Sequence, residues 1–193
     1  GGGPGGYVAA IRAAQLGARV ALIEKERVGG ICLNWGCIPT KALVHQAELY
    51  SEMKRAGEFG IDVDGSLSVN FPRMMARKAE AVETLVSGVE ALVKGHKIDL
   101  YPGVGTLLGP DRVRVAPSVY HPDTAPADVQ AKKLIIATGS MPLAVPIPGH
   151  ELPGVVNARG LLDLTEQPKA LVVIGASVVG LEFASIFAAL GTQ

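Results

Sequence analysis

The chain has 193 residues, with 18 lysines and arginines against 18 aspartates and glutamates, so net charge signals neither a nucleic-acid nor an acidic partner. Its length suits one or two domains, and sparse aromatics beside 24 glycines suit an α/β protein with tight turns and buried parallel strands. Two cysteines are too few for a disulfide scaffold or a zinc site, so no metal is expected, and the usage fits a reducing compartment such as the cytoplasm or the mitochondrial matrix.

The chain opens on Gly1-x-Gly3-x-x-Gly6, the form of a dinucleotide fingerprint. The first glycine permits a sharp turn, the second a close approach of backbone to pyrophosphate, and the third close helix–strand packing. The following helix, Gly6 to Gly17, would aim unpaired N–H groups at phosphates. Arg19 to Glu24 reads as a strand ending in an acid placed to bind a ribose hydroxyl. The alternative is a flexible glycine-rich terminus. No strand precedes Gly1, so the chain is expected to be cut from a longer one, its first strand missing.

A loop then carries Cys32 and Cys37, separated by four residues. In a regular helix residues at that spacing lie about 8.6 Å apart, beyond the roughly 4.4–6.8 Å between the Cα atoms of a disulfide. An irregular turn is therefore expected, with Gly36 supplying the freedom. Cys37 would start a helix running from about Pro39 to Ala56, where the dipole and free N–H groups favour a thiolate. Lys41 lies one turn on, on the same face. The alternative for the cysteines is a pair of small buried hydrophobes; Trp35 is most simply a packing residue.

A second long helix is expected from Asn70 to Lys94, burying Val82, Leu85, Val86, Val89, Leu92 and Val93. Strands follow at Ile98–Tyr101, Arg112–Val115 and Lys133–Ala137, with a Pro- and Asp-rich surface excursion from Pro117 to Asp128. Pro142 to Pro153 reads as a linker. Ala170 to Leu190 has the length of a membrane span, yet Glu182, Gly175 and Gly180 interrupt it, so a buried strand ending at Ile174, a turn and a helix are expected instead. No membrane association is expected. In this second glycine turn Ser177 replaces the middle glycine, where it would crowd a pyrophosphate or bond to it. Glu182 either pairs with a cation or faces solvent.

Residues 29–43, Gly-Gly-Ile-Cys-Leu-Asn-Trp-Gly-Cys-Ile-Pro-Thr-Lys-Ala-Leu, resemble the redox motif of the pyridine nucleotide–disulfide oxidoreductase family. Leu33, Ile38 and Ala42-Leu43 favour its dihydrolipoamide dehydrogenase branch over the mercuric, glutathione or thiol reductases. The resemblance covers nearly the whole chain. It implies a Rossmann-like FAD-binding domain over residues 1–145 and, over 146–193, a linker and the start of a second Rossmann-like, NAD-binding domain. It places Gly1, Gly3, Gly6, Glu24, Lys25, Gly30, Cys32, Lys41, Gly105, Thr138, Gly139 and Ser140 at FAD. Ile31 stands where the family often has threonine. Gly175, Ser177 and Gly180 fall to the second nucleotide turn, and Glu182 lies near the flavin, paired with Lys41.

The resemblance further implies that Cys32 and Cys37 form a redox-active disulfide, Cys32 meeting dihydrolipoamide and Cys37 facing the flavin. NAD as acceptor, a lipoyl domain as partner and a homodimer follow from the same resemblance. The family's His–Glu base comes from a C-terminal domain of the partner subunit and matches none of His45, His96, His121 or His150. The isolated chain is therefore expected not to turn over. A cofactor-binding module without turnover is the non-enzymatic alternative.

Overall fold

The computed structural model describes residues 1–143 and 145–193; position 144, inside the expected linker, lies outside the described residues. In chain order the elements are α1 (Pro4–Gln15), β1 (Ala21–Glu24), α2 (Gly30–Trp35), α3 (Cys37–Lys54), a 3₁₀ turn (Ala56–Phe59), α4 (Phe71–Gly95), β2 (Asp99–Pro102), β3 (Val104–Leu107), β4 (Arg112–Ala116), β5 (Ala127–Gln130), α5 (Ala158–Leu162) and α6 (Val178–Leu190). They form two units interleaved along the chain: Gly1–Asn34 with Glu83–Met141, and Trp35–Val82 with Pro142–Gln193.

In the first unit Pro4 opens α1, where its missing N–H leaves nothing unsatisfied. Gly6 and Ala10, one turn apart, are buried. Gly17, at φ 88°, follows the helix end. β1 pairs in parallel with β2, Ala21 opposite Asp99 and Glu24 opposite Pro102. The later turns of α4 bury Val86, Val89 and Val93, spaced three and four apart. That stripe is narrower than the sequence suggested: Leu85 and Leu92 lie beside it, exposed.

A three-stranded antiparallel sheet, β3-β4-β5, completes this unit. Two of its strands went unrecognised in the sequence. β3 is short and contains Gly105, and β5, Ala-Asp-Val-Gln, lies where a surface excursion was expected. A cross-strand pair supports β5: Arg114 donates to both oxygens of Asp128, its register partner, at 2.8 and 3.1 Å.

In the second unit α3 packs on α6. Leu43 and Ala47 meet Phe183, Ile186, Phe187 and Leu190, and Phe71 and Leu162 close the core. The rings of Phe71 and Phe187 stand 6.3 Å apart, tilted by 38°. Asn157 caps α5 by accepting from Gly160 N at 3.1 Å. Lys78 donates to the carbonyl of Leu162 at the end of that helix, and burial holds its ammonium pKa below the usual lysine range, opposed by Asp163.

Two expected strands do not form as ladders among the described residues. Lys133–Ala137 carries no strand pairing. Leu171–Ile174 likewise forms no ladder, and past Leu171, which packs against the core, it is open: Val172 is 87% exposed and Ile174 75%. A strand is defined by its neighbours; the second segment meets one only at its start, where Leu171 N donates to the Gln193 carbonyl at 2.8 Å and Gln193 N to the Lys169 carbonyl at 3.1 Å. The helix half of the second glycine turn forms as expected, with Gly180 in the first turn of α6. Among the described residues no helix is long and apolar enough to cross a membrane.

Phe187→Ala is expected to destabilise the protein by about 3–5 kcal/mol through lost burial and the cavity left behind. Val172→Ala should change stability by under about 0.5 kcal/mol. Chemical denaturation of the two variants checks the contrast.

Candidate functional site

The site residues fall into two sets, one in each unit. The first is built on glycine. Gly3 is the N-cap of α1, and its carbonyl accepts from Gly6 N at 2.8 Å and Tyr7 N at 2.9 Å. A Cβ on Gly6 would run into the Gly1 carbonyl, and one on Gly1 into the carbonyl of Ala137. Gly30, at φ 56°, turns its α-carbon toward Gly3, so that a Cβ there would come within 2.6 Å of the Gly3 Cα. Gly29, at φ 100°, donates to the Gly2 carbonyl at 2.8 Å. The fingerprint turn and the turn before Cys32 are thus two backbones in contact, with no room for side chains between them.

Glu24 ends β1 and reaches back into this turn. Its Oε2 accepts from Gly2 N at 2.5 Å and its Oε1 from Glu26 N at 2.8 Å. Each oxygen retains a lone pair for a ribose hydroxyl. Gly105 lies beside β1, where a Cβ would sit 3.3 Å from Ile23. Thr138, Gly139 at φ 71° and Ser140 are exposed just beyond Ala137, and Lys25 is exposed at the end of β1. The cradle is bare backbone, a Cβ would fill it, and an acid stands at its edge; these residues fit a dinucleotide.

Cys32 is half-buried on α2 rather than in the loop the sequence suggested. Asn34 fixes this short helix: its Nδ2 donates to the Val28 carbonyl at 3.1 Å and the Gly30 carbonyl at 3.0 Å. That role was not anticipated, although asparagine is prone to bond nearby backbone. Arg27, in the loop ahead of α2, is clamped to α4 by Glu83 at 2.8 and 2.9 Å and by Glu90 at 3.3 Å. Its hydrogen bonds to Glu83 raise its pKa, and the same bonds lower that of Glu83.

In the second unit Gly36, at φ −134° and ψ −112°, is the irregular residue before α3. Cys37 is the exposed first residue of that helix, two positions earlier than expected. Lys41, one turn beyond Cys37, forms an ion pair with Glu182 of α6. The lysine side chain is 59% exposed and the glutamate 25%, so the pair contributes at most about 1 kcal/mol to stability; its effect is to fix both groups.

Arg159 stacks on the Trp35 ring at 5.1 Å, which no sequence pattern announced. In the second glycine turn Gly175 has φ 110°, and a Cβ on Gly180 would strike its carbonyl. Ser177, exposed, is the N-cap of α6 and makes no side-chain capping bond. His121 bonds the Glu26 carbonyl, and His150 lies 3.2 Å from Glu151.

The family described as Pyridine nucleotide-disulphide oxidoreductase matches residues 1–193. A dihydrolipoyl dehydrogenase of Acholeplasma laidlawii is 42% identical over 197 residues, covering all of this chain and 56% of that protein. One from Chlamydia trachomatis serovar D is 43% identical over 195 residues, covering all of this chain and 40% of that protein. Among solved structures, the HOCl-induced flavoprotein disulfide reductase RclA from Escherichia coli aligns over the whole chain with a TM-score of 0.83 and 33% identity, the match covering 39% of that chain. This chain therefore spans about half, or less, of the proteins it matches.

Gly30→Ala is expected to cost at least about 1–3 kcal/mol, because it adds a backbone collision to an unfavourable positive φ. Gly139→Ala meets only the unfavourable φ and open space, so its cost should stay near about 1 kcal/mol. Denaturant unfolding of both variants tests whether the Gly3–Gly30 contact sets the difference.

Proposed function

The chain belongs to the pyridine nucleotide-disulphide oxidoreductase family, and on that premise we propose that it is the redox-active part of a dihydrolipoyl dehydrogenase. The substrate on this reading is dihydrolipoamide carried by a lipoyl domain of a 2-oxoacid dehydrogenase complex, the acceptor is NAD, and the complete protein works as a homodimer. Residues 1–145 are read as the FAD-binding domain with its disulfide, and 146–193 as the linker and the opening of the NAD-binding domain. The observation that carries the reading is Cys37 at the first position of α3, with Lys41 one turn on and ion-paired to Glu182.

Each residue then has a task. In the oxidised protein Cys32 and Cys37 are joined. A substrate thiolate attacks the Cys32 sulfur, forming a mixed disulfide and releasing Cys37 as a thiolate. The second substrate thiol displaces Cys32, so lipoamide leaves as its disulfide and the protein holds two thiols and two electrons more. Gly3, Gly6, Glu24, Lys25, Gly30, Cys32, Lys41, Gly105, Thr138, Gly139 and Ser140 are the residues that would hold FAD. When bound, that cofactor supplies the two-electron chemistry linking dithiol to NAD. Glu182 fixes the Lys41 ammonium, so Lys41 offers a positive charge held in place. Gly175, Ser177 and Gly180 would receive the nicotinamide dinucleotide, Ser177 offering a hydroxyl where a glycine is usual.

A second reading, a reductase of another disulfide, draws on the likeness to RclA. The complete protein, reconstituted with FAD, decides between them when assayed for NAD reduction by dihydrolipoamide and for reduction of other disulfides by NADH or NADPH. The first activity alone supports the proposal; the second alone overturns it. Cys37→Ser should retain FAD and lose at least about 10³-fold in turnover. Retained turnover would remove the thiol pair from the mechanism.

A further inference from the structure

The Pro- and Asp-rich stretch after β4 has no task in the site as described, yet three of its side chains tie it to the sheet. Ser118 Oγ donates to the Lys25 carbonyl at 2.6 Å. His121 Nε2 lies 2.7 Å from the Glu26 carbonyl. Thr124 Oγ1 donates to the Pro102 carbonyl at 2.9 Å. A carbonyl can only accept, so Nε2 carries the proton of His121. The Ser118 hydroxyl also accepts from the backbone N–H of Tyr120 and His121, at 3.2 and 3.0 Å, which closes the excursion on itself.

The anchor points lie together. Glu24 and Pro102 are register partners at the carboxyl ends of the parallel strands β1 and β2, and Gly103 N donates to the Glu24 carbonyl at 2.8 Å. Ligands of open parallel sheets bind beyond the carboxyl ends of the strands. The excursion is therefore fastened to the edge where Glu24 presents its acid. Its link to that acid is continuous. His121 holds the carbonyl of Glu26, the N–H of Glu26 holds Glu24 Oε1, and Glu24 Oε2 holds the N–H of Gly2 in the glycine turn.

We infer that residues 117–126 form a clasp for the adenosine end of the bound dinucleotide, with His121 as a positioning residue that sets the Glu24 carboxylate through the backbone of Glu26. His121 does not touch the cofactor. It fixes the peptide whose N–H aims one carboxylate oxygen, and the other oxygen is aimed by the glycine turn. The ligand class is a dinucleotide with an unmodified ribose, and the inference rests on the FAD reading above. A flavin without the adenosine half gains nothing from this chain of bonds.

The test uses the complete protein stripped of flavin and titrated with FAD, ADP and FMN. His121→Ala should weaken FAD and ADP about tenfold each, equivalent to about 1.4 kcal/mol, the worth of roughly one hydrogen bond. FMN affinity should not move. His121→Gln, whose amide can also donate, should restore FAD affinity to within about threefold of the unsubstituted protein. An unchanged FAD affinity in His121→Ala, or an equal loss for FMN, overturns the clasp. Should His121→Ala fail to fold, Ser118→Ala decides, with about threefold losses for FAD and ADP expected and no loss overturning. If the unsubstituted protein takes up no FAD, the flavin reading falls and the clasp with it, an outcome distinct from a clasp that fails alone.

Discussion

The contact between Gly3 and Gly30 is the constraint on which the first unit turns. One glycine caps α1 and the other begins α2, and a single carbon added to the second would meet the α-carbon of the first. The two backbones touch, so the glycine turn and the helix that carries Cys32 are set directly against one another. Gly29 N bonded to the Gly2 carbonyl reinforces the contact, and Asn34 keeps its carbonyls at Val28 and Gly30 in place. On the proposed reading this contact joins the dinucleotide cradle to the thiol, whose relative placement sets the reaction.

The second unit solves a different problem. It must hold a helix start, a thiol and a lysine in fixed order, and it does so by burying the far side of α3 against the aromatic face of α6. Leu43 and Ala47 lie on the buried side, while Cys37 and Lys41 lie exposed. Glu182 and Phe183 are consecutive on α6, so the same helix supplies the core and the acid that meets Lys41.

The legibility of the sequence followed the range of each interaction. Helices were readable because their signals are local: a proline in the first turn, small residues at four-residue spacing, a glycine past the end. The glycine cradle and the Lys41–Glu182 pairing were anticipated, the first from spacing and the second from resemblance. Strands were read less well. Lys133–Ala137 and Leu171–Ile174 have strand-like composition, but composition does not supply a neighbour to pair with. β3 and β5 carry weak patterns and exist because β4 lies between them. Contacts formed across long stretches of chain, such as Arg27 with Glu83 or Trp35 with Arg159, left no local trace.

The exposed apolar runs bear on how this polypeptide associates. Ile135, Ile136, Val172 and Ile174 are β-branched and open to water, in extended segments whose backbone groups have no ladder. Such segments are templates for pairing with whatever strand arrives first. These four side chains therefore mark where the described surface is most open to edge-to-edge association.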